Sequence, residues 1–177
     1  MKTFFVKVML PVITVCLIST TSLFPQMNDY GKFGEWTTGE FSRVGGYAGT
    51  GGLCQIKIAK NKGFDRVVFQ FSSEGDYYII HYLQGKTYST EAGDEKLKIA
   101  GSAVIQVGLY GMYKVDDPPC VLDEYSSGKL NLPSVLQVKE GDWFEGTRDF
   151  HIGINVKKQF RVMELTDPAR LVIDIKH

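Results

Sequence analysis

Past its first two dozen residues, the 177-residue chain has no long stretch with apolar residues at helical spacing. Helix is therefore expected to be minor. No apolar run reaches the roughly 20 residues a membrane-spanning helix needs. Neither sign of charge is in excess, since 20 Lys and Arg meet 20 Asp and Glu, so no overall field favours nucleic acid or an anionic membrane. Histidine is scarce: His81, His151 and His177 are the only three. None has a Glu or second His at metal-binding spacing. His81 sits in a hydrophobic run and reads as a satisfied, semi-buried residue, whereas His151 is expected to face away from the core and be exposed. There is no Gly-x-Ser-x-Gly elbow, no phosphate-binding Gly-rich loop and no Ser-x-x-Lys. These absences exclude the enzyme classes with local signatures. A carboxylate pair assembled from distant positions, as in a glycosidase, stays open. The acidic pairs Asp94-Glu95, Asp116-Asp117 and Asp123-Glu124 match no calcium template and read as solvated loops.

The residues present favour sheet. Hydrophobic residues make up 44% and charged residues 23%, the balance of one packed globular domain. Eleven Phe, nine Tyr and many β-branched residues lean the same way. At the N-terminus, Lys2 and Lys7 give a basic start, Val8 to Ile18 is nearly all apolar, and Ser19 to Ser22 is small and polar. That order is the signature of a secretory signal peptide over residues 1–26, with cleavage near Ser22 or Gln26. An uncleaved anchor is the rival reading. Lipidation at Cys16 is disfavoured by the large Val15 before it. Export leaves Cys54 and Cys120, an even pair that points to a disulfide, worth roughly 4 kcal/mol through restriction of the unfolded chain. Two separate buried thiols are the alternative.

Residues 27–52 are glycine-rich and read as a linker. Phe33, Trp36, Phe41 and Tyr47 are more than a spacer needs, so partial order is expected, with these rings docked on the domain or on a partner. From residue 53 to 177 short alternating runs follow one another. Gln55 to Ala59 is the first, with Ile56 and Ile58 inward, and Asn61-Lys62-Gly63 turns the chain. Arg66 to Phe71 carries Val67, Phe69 and Phe71 on one face. Tyr77 to Leu83 is apolar on both faces, as a central strand is. Leu97 and Ile99 mark another strand, and Ile105, Val107 and Leu109 align in the next. Gly111 to Pro133 is irregular, its two adjacent prolines forbidding strand interior. Val135 to Lys139 resumes, Glu140-Gly141-Asp142 is expected to turn, and Phe150, Ile152 and Ile154 align. Leu171, Ile173 and Ile175 point one way in the last strand, after an Asp167-Pro168 turn. The expectation is an all-β, two-layer sandwich of about eight short strands.

Three motifs, in order, carry a resemblance. Gly63-Phe64-Asp65-Arg66-Val67-Val68-Phe69-Gln70-Phe71, Gly141-Asp142-Trp143-Phe144-Glu145-Gly146, and Phe160-Arg161-Val162 continuing to Leu165, Asp167-Pro168 and Arg170-Leu171-Val172-Ile173-Asp174-Ile175 resemble the AMIN and AMIN-like domains of bacterial envelope proteins. The resemblance runs from about Cys54 to the end. It implies a two-sheet β-sandwich that binds peptidoglycan and places host proteins, such as cell-wall amidases and secretin channels, in the periplasm. Here the domain is expected to make up almost the whole mature chain, with no amidase or channel attached.

The candidate ligand-binding residues are Arg66 and Arg170, with Tyr77, Tyr82 and Trp143 as stacking faces. Asp65, Asp174 and Glu145 are the available counter-charges, and Asp167 and Pro168 are structural. One account has each arginine packed over the sheet and paired with a carboxylate. The other has arginines binding polymer carboxylates bidentately while aromatic rings stack on sugars. The expectation is an exported, non-catalytic envelope module, in the periplasm or at the cell surface, binding peptidoglycan or an envelope protein. It would need no cofactor or metal, bind no nucleic acid and span no membrane once mature. A structural or adhesive sandwich binding a partner through a sheet edge, and a cell-wall hydrolase, are the alternatives.

Overall fold

The computed structural model describes residues 29–44, 52–72, 77–84, 88–89, 96–111, 128–144 and 146–177. The signal segment, Tyr47, Cys120, Glu145 and the three acidic pairs lie outside the described residues.

Eleven strands follow in chain order: β1 (Phe41–Val44), β2 (Leu53–Asn61), β3 (Phe64–Phe71), β4 (Tyr77–Tyr82), β5 (Tyr88–Ser89), β6 (Lys96–Leu97), β7 (Ala103–Tyr110), β8 (Val135–Phe144), β9 (Thr147–Ile154), β10 (Phe160–Leu165) and β11 (Arg170–Lys176). Sheet A is ordered β1-β4-β7-β9-β8 and sheet B β10-β11-β3-β2, and β5 pairs with β6 alone. Every pairing is antiparallel, and no helix occurs among the described residues. The nine strands of the two sheets pack face to face as the expected β-sandwich.

The period of two explains the layers. On sheet B, Val162, Ile173 and Val67 stand in register, as do Leu171, Phe69 and Ile56. All are buried in the core. From sheet A, Tyr78, Ile80, Ile105, Val107, Leu109, Phe150, Ile152 and Ile154 meet them. Phe69 and Phe150 join the layers with ring centroids 5.2 Å apart. Tyr78 also spans the gap, its hydroxyl donating to Glu164 Oε1 at 2.7 Å.

Three local differences from the sequence expectation have physical causes. The glycine-rich segment contributes a strand, β1, whose Phe41 is fully buried. Residues 29–40 then run along two exposed edges. Tyr30 bridges Ser42 on β1, and Thr37 bridges Phe160 on β10. Gly34 N donates to Val162 O at 2.9 Å. An unpaired edge is a template for association, and this strap covers two of them. The turn expected at Glu140-Gly141-Asp142 is instead an irregularity inside β8, with the register shifting between Glu140 and Trp143. The chain turns beyond Phe144, with Gly146 at φ 78°. His151 is outward on β9 as expected, yet only 7% exposed, because the β8 irregularity closes over it. A Cβ on Gly141 would sit 2.6 Å from His151 Cε1, so glycine is what permits this approach.

The hairpin expected at the end of the chain is present. β10 and β11 flank a cis Asp167–Pro168 peptide, with Asp167 at φ 54°. Cys54 lies at the β2 irregularity between Leu53 and Gln55, half-buried. Its expected partner, Cys120, is outside the described residues.

Candidate functional site

The outward face of sheet B gathers most of the polar residues singled out above. Its rows are fixed by register. Ala59, Arg66, Asp174 and Arg161 form one row, Lys57, Val68, Val172 and Met163 the next, and Gln55, Gln70, Arg170 and Leu165 a third. Phe64 and Lys176 pair in the row beyond Arg66. Among the described residues the face thus carries five cations, Lys57, Arg66, Arg161, Arg170 and Lys176, against the single carboxylate of Asp174. The excess of four positive charges contrasts with a chain whose formal charge is zero.

Asp174 is fully buried beneath this face. Arg66 grips it with both ends of the guanidinium, Nε to Oδ1 at 2.6 Å and Nη2 to Oδ2 at 2.9 Å. Arg161 adds Nε at 2.9 Å and Nη2 at 2.8 Å, both to Oδ2. The bidentate contact with Asp174 raises the Arg66 pKa above its ordinary value, hydrogen bonding being the main cause. Trp36, brought over the sheet by the strap, stacks on Arg161 at 4.6 Å and on the Lys176 ammonium at 4.9 Å. Phe64 meets both Arg66 and Arg161 at 5.2 Å. Cations alternate here with aromatic faces, an attractive arrangement.

The sequence candidates separate on this frame. Arg66 and Arg170 share the face. Arg66 is occupied by Asp174, whereas Arg170 donates from Nε to Pro168 O at 3.2 Å and has no carboxylate partner among the described residues. Asp65 turns to the opposite side, into the sandwich, and so does not face the arginines. Its Oδ2 accepts the amides of Ser134 at 2.7 Å and Val135 at 2.9 Å, and its Oδ1 meets His177 Nε2 at 3.0 Å. Tyr77 and Tyr82 belong to sheet A. Tyr77 packs on Tyr110 with centroids 4.9 Å apart. The Tyr82 hydroxyl donates to Lys158 O at 2.5 Å and accepts from Lys158 N at 3.1 Å. Trp143 is also on sheet A, in β8, and its side chain lies outside the described ones. The aromatic residues beside the arginines are instead Trp36 and Phe64. Trp36 was legible only as an aromatic ring in excess of what a linker needs.

The three β4 tyrosines give a pH dependence with a definite sign. Burial, followed by the Glu164 carboxylate, raises the Tyr78 pKa far above the ordinary phenol value. Burial, then Glu40, raises Tyr77. Burial raises Tyr82 against the opposing hydrogen bond with the Lys158 backbone. A raised folded-state pKa means the folded chain holds its phenol protons more tightly than the unfolded chain does. The resulting stability is fully present below the unfolded value of about 10 and is lost as pH rises beyond it, by about 1.4 kcal/mol per pH unit for the fully buried Tyr78. Urea unfolding across that range is expected to show a falling midpoint, and Tyr78→Phe to flatten the fall. A slope unchanged in Tyr78→Phe would contradict this assignment.

Among the described residues no group of three or more His, Cys, Asp and Glu is placed to hold a metal ion. No described helix is long and apolar enough to cross a membrane. The fold and this face define a class: an antiparallel two-sheet sandwich with a cation-rich outer surface. The AMIN-like domain family model matches residues 52–177, and the chain belongs to that family. Its members are envelope-associated modules, which makes this an envelope-associated protein. No curated protein and no solved structure is similar enough to add a relative.

Proposed function

We propose that the chain is an exported, non-catalytic module that binds an acidic polymer of the cell envelope, peptidoglycan first, through the outward face of sheet B. One observation carries the reading. A chain with balanced charge concentrates Lys57, Arg66, Arg161, Arg170 and Lys176 around one buried carboxylate, next to the rings of Trp36 and Phe64. Peptidoglycan offers carboxylates to the cations and sugar rings to the aromatic faces. Lys57 is exposed and, with Arg170, has no carboxylate partner among the described residues. These two residues are the ones best able to meet a ligand. Partner binding through a sheet edge would be confined to β2 and β8, because the strap at residues 29–37 covers the edges of β1 and β10.

Export implies an oxidising compartment. The same reading pairs Cys54 with Cys120. Alkylation of the denatured, unreduced chain is then expected to label neither residue. Labelling of both would remove the pairing.

Purified sacculi test the function. The protein is expected to co-pellet with them, less so as salt rises and screens the exposed cations, and to lose binding when the wall carboxylates are amidated. Release of soluble wall fragments would instead establish the hydrolase.

A further inference from the structure

At one end of the sandwich, away from the sheet B face, a cavity of about 400 Å³ opens between the strap at Thr38–Glu40, the end of β4 and the start of β7, with Lys157 on its rim. Two of its charged groups are unused. Glu40 and Lys157 line the same small space, and both are exposed. Neither has an ion-pair partner among the described residues, including each other. The Lys157 ammonium rests over the Tyr82 ring, 4.8 Å from its centroid.

We infer that this cavity is a binding site for a dipolar ligand, an amino acid or short peptide with a free ammonium and a free carboxylate. The carboxylate of Glu40 receives the ammonium, and the ammonium of Lys157 receives the carboxylate. Tyr82 and Leu83 supply an apolar wall. The Tyr82 hydroxyl is already committed to the Lys158 backbone on the protein side, so its ring stays fixed as that wall. A ligand of single charge would leave one of the two side chains unmatched, which is why the pair selects a dipole. The site uses none of the five cations on sheet B, so it stands whether or not that face binds wall polymer.

Glycine, diglycine and triglycine, titrated into the isotope-labelled full chain by NMR, form the test. At least one is expected to shift the amides around Glu40, Tyr82 and Ala103 saturably, with the best-fitting length giving the tightest binding. Capping the ammonium by acetylation, or the carboxylate by amidation, is expected to weaken that binding about tenfold, the effect of losing one charged contact. Glu40→Gln is expected to abolish discrimination against the acetylated peptide only. Lys157→Met is expected to abolish discrimination against the amidated peptide only. Both side chains are exposed, so an unchanged melting temperature verifies folding in each variant. Equal binding of the doubly capped peptide, or no shift at these amides with all three probes, would overturn the inference.

Discussion

Asp65→Ala is expected to be among the most damaging single substitutions in this domain. The Asp65 carboxylate is fully buried and lies inside the sandwich, where an apolar side chain would otherwise sit. It is held there by the backbone amides of Ser134 and Val135, the point where the chain enters β8. It also meets His177, the last residue. One side chain on β3 therefore fixes the start of a strand in the other sheet and the end of the chain. Ser134 reinforces the junction, its hydroxyl donating to Lys176 O at 2.6 Å and its carbonyl accepting from Asn155 N at 3.0 Å. Truncation leaves two enclosed amides without an acceptor, each costing about 1–3 kcal/mol. The loss in urea unfolding is expected to be about 3–5 kcal/mol, a large part of the total for a small domain. Asp65→Asn keeps an acceptor oxygen and is expected to lose about half as much. A loss below about 1 kcal/mol for the alanine variant would mean that the junction is held by something else.

Asp174 comes second, with consequences for function. Asp174→Ala leaves Arg66 and Arg161 facing each other with no carboxylate between them. Breaking a buried pair costs about 3–5 kcal/mol. Because the arginine side chains keep 33% and 26% of their exposure, the lower end, about 3 kcal/mol, is expected. Arg66→Ala alone leaves Asp174 bound to Arg161 and is expected to cost less, about 1–2 kcal/mol. The double variant is expected to be non-additive, since both substitutions act on one carboxylate. Additive losses would show that the two side chains do not work as a unit. Arg66 is therefore a poor probe of binding, because its removal weakens the fold and the face together. Lys57 and Arg170 separate the two effects.

The sandwich was legible in the sequence because its signal is local. Val67-Phe69-Phe71 and Leu171-Ile173-Ile175 each declare a buried face by alternation, and the structure packs both into one core. β1 was hidden, since four residues among glycines carry no period and Phe41 finds its place only through the β4 edge. The irregularity at Gly141 was read as a turn because Gly-Asp favours both. Its close approach to His151, which decides the matter, depends on strand pairing. The same limit applies to the site. The sequence offered Asp65 and Asp174 equally as counter-charges, but their positions on opposite faces follow from register, and a shift of one residue exchanges the faces. Trp36 reaches Arg161 across more than a hundred positions of chain, a contact no spacing rule encodes.

The direct measurement is sacculus co-sedimentation by a chain carrying Lys57→Glu and Arg170→Glu, with its melting temperature recorded alongside. Binding through the sheet B face predicts an unchanged melting temperature and a pellet that no longer retains the protein at low salt. Retention equal to that of the unaltered chain would contradict it.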